Sequence, residues 1–211
     1  MLDFNVDVES CISCGQCASE CPAMIIVMDD GLPVIHPDLE QFCIECLHCA
    51  AICSEKSLSL LGFNKDKGVD LKGADMPTPD QLGLLVKSRR TTRNYQQRSV
   101  SVTLIDDIIE TASHAPSGHN DRKLLFSVTR EMDITFALRE KVYGRLAELV
   151  EKEPVSEDLL MFRDIVVAWK ETGKDILFRN APHFLVVSAE VESASPLHDS
   201  IIALSTFELC C

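Results

Sequence analysis

Eight of the chain's ten cysteines fall between residues 11 and 53, in two runs with the same spacing. The first run, CISCGQCASEC, covers residues 11–21, and the second, CIECLHCAAIC, covers residues 43–53. Each run has the pattern C-x2-C-x2-C-x3-C, and the second repeats the first at an offset of 32 residues. Two complete four-cysteine runs in so short a segment constrain its fold more than any other feature of the 211-residue chain.

This spacing is typical of proteins that bind two [4Fe–4S] clusters, because three closely spaced thiolates surround one cluster while the fourth completes the other. The sequence therefore predicts crossed ligation by two sets of four thiolates. These are Cys11, Cys14, Cys17 and Cys53 for cluster 1, and Cys43, Cys46, Cys49 and Cys21 for cluster 2. The alternative is a pair of zinc sites, although zinc sites usually separate two C-x2-C pairs by a long loop. Over residues 1–63 the sequence resembles the two-cluster bacterial ferredoxins, which implies a small α+β domain that passes single electrons.

The charge of the chain limits the kinds of molecule that it is expected to bind. Residues 1–63 contain ten acidic residues and one base, Lys56, and so carry −9 of the chain's net charge of −13. Such a surface disfavours nucleic acid and anionic membrane as partners, and it suits either solubility or a basic redox partner protein. The sequence shows no signal peptide and no apolar run of bilayer length, so we expect a cytoplasmic protein.

Residues 64–81 lack an apolar period and contain glycine and proline, which predicts a linker before a second domain at 82–211. In that domain the pattern predicts helices at 82–90 and 102–116, the second with Thr103 as N-cap, and strands at 123–130 and 181–190. It also predicts two helical segments between 134 and 169, broken near Glu153-Pro154, and a final helix with Ser195 as N-cap and Pro196 as its first residue. The strands are too few for a doubly wound sheet, so the predicted fold class is α+β.

Two motifs in the second domain contain residues that suit ligand binding or catalysis. SRRTTRNY, at 88–95, concentrates arginine and hydroxyl donors that suit phosphate oxygens, although a basic helix end is often only a solvated surface. HAPSGHN, at 114–120, is a turn directly after a long helix, in which a glycine lets backbone approach a flat ligand. Its His114 and His119 are weak candidates for proton donors, since exposed turn histidines are common.

Together these motifs resemble the nitroreductase family of flavin enzymes, as do the strand start at Asn180 and the late helix with Asp199. The resemblance implies an FMN-dependent α+β domain, in which two groups of residues bind the cofactor. They are Arg89, Arg90, Thr91 and Arg93 at the phosphate and ribityl end, and Pro116, Ser117, Gly118 and Asn120 at the ring. It also implies a homodimer.

The sequence departs from the family pattern at Asp121-Arg122-Lys123-Leu124 and stops at Cys211, inside the last helix. In the family this helix leads to a glycine-rich loop and further phosphate-binding residues. We therefore expect a nitroreductase-like domain that is incomplete at its C-terminus. The terminal Cys210 and Cys211 are expected to be small apolar helix residues, with a redox pair as the alternative.

The combined hypothesis is an iron–sulfur flavoprotein oxidoreductase. Two [4Fe–4S] clusters would pass single electrons to FMN, and FMN would reduce a small-molecule acceptor such as a nitro compound or quinone. A redox partner protein or NAD(P)H would supply the electrons. The alternative direction is electron flow from a substrate through FMN to the clusters. The alternative hypothesis is a ferredoxin-type electron carrier whose second domain neither binds flavin nor catalyses a reaction.

Overall fold

A computed structural model describes residues 2–63, 68, 71, 73–152 and 156–211 of the chain. The described residues form two compact units. Unit 1 comprises Met1–Thr78 and two short later segments, Pro116–Arg122 and Ser193–Ser195. Unit 2 comprises Pro79–Ala115, Lys123–Glu192 and Pro196–Cys211.

Unit 1 contains short strands and two single-turn helices. In chain order these are β1 (Phe4–Val6), α1 (Gln16–Ser19), β2 (Ile26–Asp29), β3 (Leu32–Ile35), a 3-10 turn at Glu40–Phe42, α2 (His48–Ala51) and β4 (Leu58–Leu60). β1 pairs antiparallel with β4, and β2 pairs antiparallel with β3. The β2–β3 hairpin turns through Asp30 and Gly31, whose φ angles of 46° and 81° fit the twist of a tight hairpin.

The cysteine repeat of the sequence is also a repeat of backbone structure. α1 and α2 begin 32 residues apart, and their entry residues Gly15 and Leu47 both have left-handed backbone, with φ of 70° and 60°. The amide N–H groups of Ala18 and Ala50 donate to the carbonyls of those residues, each at 3.1 Å. Left-handed backbone recurs at the same offset at two further pairs, Ser13 with Glu45 and Met24 with Lys56. The two halves of unit 1 therefore fold alike around their cysteines.

Unit 2 is built mainly from helices on one two-stranded sheet. Its elements are α3 (Pro79–Ser88), α4 (Val102–Ala112), β5 (Leu124–Val128), α5 (Met132–Val150), α6 (Glu157–Thr172), β6 (Leu185–Ala189) and α7 (Pro196–Cys210). β5 pairs antiparallel with β6, α7 packs against both β6 and α4, and α5 packs against α6. The predicted α+β class is confirmed.

The predicted elements of the second domain are present, with some shifted ends. α3 begins at Pro79, inside the segment predicted as linker. The predicted N-cap Thr103 is wrong: α4 is capped by Ser101, whose extended backbone (φ −61°, ψ 142°) lets its hydroxyl accept from the N–H of Leu104 at 3.3 Å. The break predicted at Glu153-Pro154 lies outside the described residues. Within the described ranges, no helix is both long and apolar enough to cross a membrane.

A polar network is buried inside unit 2. Tyr143 is 1% exposed and stacks on Trp169, with ring centroids 4.4 Å apart. The Tyr143 hydroxyl donates to Asp175 at 3.0 Å and accepts from the N–H groups of Ile176 and Leu177 at 2.9 and 3.1 Å. This hydroxyl thus satisfies the backbone of the loop that leads to β6.

The buried carboxylate of Asp175 holds the same loop from its other side. It accepts from the N–H groups of Phe178 and Asn180, each at 2.9 Å. The guanidinium of Arg139 approaches it at 3.7 Å, and the same guanidinium donates to the side chain of Asn180 at 2.9 Å. The Tyr143 hydroxyl and the Asp175 carboxylate together bind four backbone N–H groups between residues 176 and 180, and so the network fixes the loop at 175–180.

Candidate functional site

Unit 1 contains two cavities, each lined by four cysteines. The first is lined by Cys11, Cys14, Cys17 and Cys53. The second is lined by Cys21, Cys43, Cys46 and Cys49. In each cavity three thiols come from one run and the fourth comes from the other run, which is the grouping that the crossed ligation requires. The ligation itself stays a prediction.

The local backbone explains why three cysteines of a run face one cavity. In the first run Ser13 and Gly15, on either side of Cys14, have left-handed backbone with φ of 57° and 70°. In the second run Glu45 and Leu47 flank Cys46 in the same way, with φ of 55° and 60°. Such residues turn the chain sharply at each step, so that successive thiols point into a common space. Left-handed backbone at non-glycine residues is uncommon and concentrates at functional sites.

The most buried thiols are poor acids. Burial is the main cause that raises the pKa of Cys49 to about 11; the neighbouring thiols of Cys21, Cys46 and Cys43 contribute to the rise, and the Ala50 N–H acts against it. Burial likewise raises the pKa of Cys17, with smaller contributions from Cys53 and Cys14. Because metal ligation requires thiolates, loading of these cavities would release protons.

The spacing of the cysteines favours a polynuclear cluster over a zinc site. Each cavity takes three thiols from one C-x2-C-x2-C run and the fourth from the other run. This is the ligand pattern of proteins with two [4Fe–4S] clusters, whereas zinc sites usually separate two C-x2-C pairs by a long loop.

The basic segment of the sequence lies exposed in unit 2. Arg89 forms an ion pair with Glu208 of α7, and Arg90 donates to the carbonyls of Lys87 and Arg89 at 3.0 and 2.6 Å. Thr91 is exposed between them and Arg93. The segment therefore presents arginines and a hydroxyl that could receive an anion, with Arg89 already engaged by a carboxylate.

Arg93 contributes to a wider basic surface. It lines an open cavity of about 300 Å³ together with Lys174, Arg179 and the buried Asp175. Lys174 and Arg179 are not predictable from the sequence, because they are distant from Arg93 in sequence and belong to no recognised motif. The same holds for Glu208 as the partner of Arg89.

The turn that is predicted to bind the flavin ring lies in unit 1. Pro116–Arg122 belongs to unit 1, where the Asn120 side-chain amide donates to the carbonyl of Cys46 at 2.9 Å. His114 lies beside Glu110 at 3.3 Å in unit 2, and His119 has left-handed backbone with φ of 55°. The two predicted flavin segments thus fall in different units, and their joint role in one flavin site stays a prediction.

Comparison with known proteins gives two matches along the chain. Residues 86–211 match the family described as the nitroreductase family. Residues 10–58 match the 4Fe-4S dicluster domain. A search of curated proteins found no match.

Solved structures show a weaker likeness. A nitroreductase with bound FMN from Bacteroides fragilis is 19% identical to this chain, with a TM-score of 0.49. The matched region covers 62% of this chain and 63% of that protein's chain. An FMN-dependent nitroreductase from Clostridium difficile is 20% identical with a TM-score of 0.48, covering 63% of this chain and 56% of its own. A nitroreductase with bound FMN from Desulfitobacterium hafniense is 24% identical, with a TM-score of 0.44. The matched region covers 60% of this chain and 61% of that protein's chain.

The chain therefore spans about three fifths of the length of these structures. The match over residues 86–211 rests on sequence and covers more than half of the chain.

Proposed function

The chain belongs to the nitroreductase family, and from this premise we propose that it is an iron–sulfur flavoprotein oxidoreductase that binds two [4Fe–4S] clusters and FMN. The observation that supports the proposal most is the pair of four-cysteine cavities, in a chain whose remaining part matches a flavin enzyme family. Neither half alone would indicate this combination.

The cysteine sets fit the clusters by number, chemistry and placement. Cys11, Cys14, Cys17 and Cys53 would hold cluster 1, and Cys43, Cys46, Cys49 and Cys21 would hold cluster 2. Apolar side chains complete the second cavity, among them Phe4, Ile25 and Leu60. Limited access of water to a cluster is one of the levers by which a protein sets its potential.

The exposed basic segment fits the phosphate of FMN by charge and donor type. Arg89 and Arg93 would make charge-assisted bonds to phosphate oxygens, and Thr91 would add a hydroxyl donor. Since Arg89 pairs with Glu208, it would exchange that carboxylate for the phosphate. An ion pair whose side chains are 36% and 47% exposed costs little to open.

When bound, the clusters would transfer single electrons and the flavin would deliver two electrons to a small acceptor such as a nitro compound or quinone. The chain's own residues would bind both cofactors and set the charge around them. The donor would be NAD(P)H or a redox partner protein that docks against the acidic first 63 residues. We further propose a homodimer, as the family resemblance suggests, and a location in the cytoplasm, where thiols stay reduced and available as cluster ligands.

Cofactor content tests this proposal. The chain is purified anaerobically, reconstituted with iron, sulfide and FMN, freed of unbound cofactor, and assayed for iron, acid-labile sulfide and flavin. We expect about eight irons and one FMN per chain. A control variant, Cys210→Ser, removes a cysteine outside both cavities and should retain all eight irons.

Other outcomes would redirect the proposal. Eight irons without retained flavin would contradict it and favour the ferredoxin-type electron carrier. Zinc in place of iron would contradict both functions.

A further inference from the structure

Asn120 makes a contact that the proposed function does not use. Its side-chain amide donates to the main-chain carbonyl of Cys46, 74 residues earlier, at 2.9 Å. We propose that Asn120 is a positioning residue for the loop of cluster 2: it holds the Cys46 carbonyl and so sets that cluster's reduction potential. This inference rests on the proposed ligation of a cluster by Cys21, Cys43, Cys46 and Cys49.

The turn that carries Asn120 is built to hold it in place. Three non-glycine residues within four positions have left-handed backbone, His119, Asn120 and Arg122, with φ between 52° and 55°. The Ser117 hydroxyl accepts from the N–H of Arg122 at 3.0 Å, and the Ser117 carbonyl accepts from the N–H of Asn120 at 2.9 Å. Strained backbone persists only where surrounding contacts fix it, so the orientation of the amide is defined by the turn.

Close packing at Gly118 fixes the turn from its other side. A Cβ atom at Gly118 would lie 2.9 Å from the Cβ of Ala194 and 3.2 Å from the Oγ of Ser195. Only glycine permits this approach of the turn to the segment Ser193–Ser195, which also belongs to unit 1. The turn and its neighbour therefore form a support beside the second cysteine run.

The contact distinguishes the two halves of unit 1. Cys14 occupies the position in the first run that corresponds to Cys46 in the second. Among the described residues, no side chain donates to the Cys14 carbonyl, whereas Asn120 donates to that of Cys46. Asn120 thus introduces a difference between two loops that the sequence repeat makes alike.

The direction of the effect follows from charge. A carbonyl oxygen carries partial negative charge, and an N–H donor offsets it, which favours addition of an electron nearby. Removal of the amide should therefore lower the reduction potential of cluster 2. A carboxylate at the same place should lower it further, because it adds a full negative charge and cannot donate when ionised.

Two variants separate this role from a general loss of structure. Asn120→Gly removes the amide and accepts the left-handed backbone without strain. Asn120→Asp keeps the size of the side chain and its tolerance of that backbone. Asn5→Gly is the matched control, because Asn5 lies in unit 1 and its amide donates to Asp3.

The measurement is an anaerobic redox titration of the reconstituted proteins, followed by EPR, with iron counted in every sample. The potential that is missing from a Cys46→Ser variant identifies cluster 2. We expect both Asn120 variants to retain the iron of the wild type and to shift the potential of cluster 2 to more negative values, further for Asp than for Gly. The potential of cluster 1, and both potentials of Asn5→Gly, should stay unchanged.

Two results would overturn the inference while leaving the proposed function intact: both potentials unchanged in both Asn120 variants, or equal shifts of both clusters. A wild-type protein that binds fewer than about eight irons would instead refute the proposed function, and the inference with it. If Asn120→Gly loses iron from both cavities, the inference is tested with Asn120→Asp alone. A more negative potential of cluster 2 only would then support it, and no shift or equal shifts of both clusters would overturn it.

Discussion

Replacement of Tyr143 by phenylalanine tests the account of unit 2 most sharply. The change removes one hydroxyl and keeps the ring that stacks on Trp169. The lost oxygen donates to Asp175 and accepts from two backbone N–H groups, those of Ile176 and Leu177. In a site that is 1% exposed, water cannot replace these bonds.

The expected cost follows from the groups left without partners. Each buried N–H that loses its acceptor costs about 1–3 kcal/mol, although the Asp175 carboxylate keeps its other donors. We expect a loss of about 3 kcal/mol in the free energy of unfolding of unit 2. For a chain of this size that corresponds to a fall of about 6–12 °C in the melting temperature.

The chain provides its own control, because Tyr95 is its only other tyrosine. The Tyr95 hydroxyl donates to the carbonyl of Thr92 at 3.1 Å in an exposed setting, so Tyr95→Phe should change stability by less than about 0.5 kcal/mol. Thermal and urea unfolding followed by circular dichroism measure both variants. Equal stability of Tyr143→Phe and Tyr95→Phe would refute the role given to the buried network.

The difference between wild type and Tyr143→Phe should also depend on pH. Burial raises the pKa of Tyr143 above its ordinary value of 10.0, and the Asp175 charge adds to this against the lowering effect of the Leu177 and Ile176 N–H groups. Since the folded state favours the protonated phenol, its contribution is fully present below pH 10 and is lost as the pH rises through the folded pKa. The two melting temperatures should therefore converge above pH 10. A gap that stays constant there would contradict the assignment.

Three further variants test other parts of the structure. Cys21→Ser should lose the iron of cluster 2 and keep about four irons, counted chemically and by a single remaining EPR signal; loss of cluster 1 instead would contradict the crossed ligation. Ser101→Ala removes the N-cap of α4 and should destabilise unit 2 by about 1 kcal/mol in urea unfolding, and an unchanged midpoint would contradict that cap. Arg89→Ala should weaken FMN binding about 10- to 100-fold in a flavin fluorescence titration, whereas Arg130→Ala, which breaks another exposed ion pair, should leave it unchanged. Equal affinities in these two variants would remove Arg89 from the flavin site.

Much of the fold could be predicted from the sequence because the signals are local. The spacing of the cysteines predicts the two groups of thiols that the cavities of unit 1 bring together, since a repeat at a fixed offset folds into like halves. Apolar periodicity and the Ser195-Pro196 start predict α7, which begins at Pro196. The N-cap of α4 was misplaced by two residues, because Ser101 and Thr103 are both good caps and only the backbone geometry selects Ser101.

Contacts between residues that are far apart in the sequence could not be predicted from this single sequence. Asn120 and Cys46 are 74 residues apart, and Arg89 and Glu208 lie at opposite ends of the second domain. Neither pair belongs to one motif, and no periodicity relates their members. The sequence predicts a ligand-binding turn at 114–120, but the contact of this turn with the second cysteine run depends on the tertiary structure of unit 1.

We propose that the cysteine cavities and the flavin domain act in one electron path. This can be tested by comparing the wild type with a variant that cannot bind its clusters normally. A double variant, Cys17→Ser with Cys49→Ser, removes one thiol from each cavity and leaves the segment from Arg89 to Arg93 intact. Wild type and variant, both loaded with FMN, are mixed anaerobically with a reduced low-potential donor protein and a nitroaromatic acceptor, and loss of the acceptor is followed by stopped flow. We expect rapid reduction of the acceptor by the wild type, and a rate at least about tenfold lower in the variant at equal flavin content. Equal rates in the two proteins would show that the clusters take no part in the reaction, and the proposed electron path would be wrong.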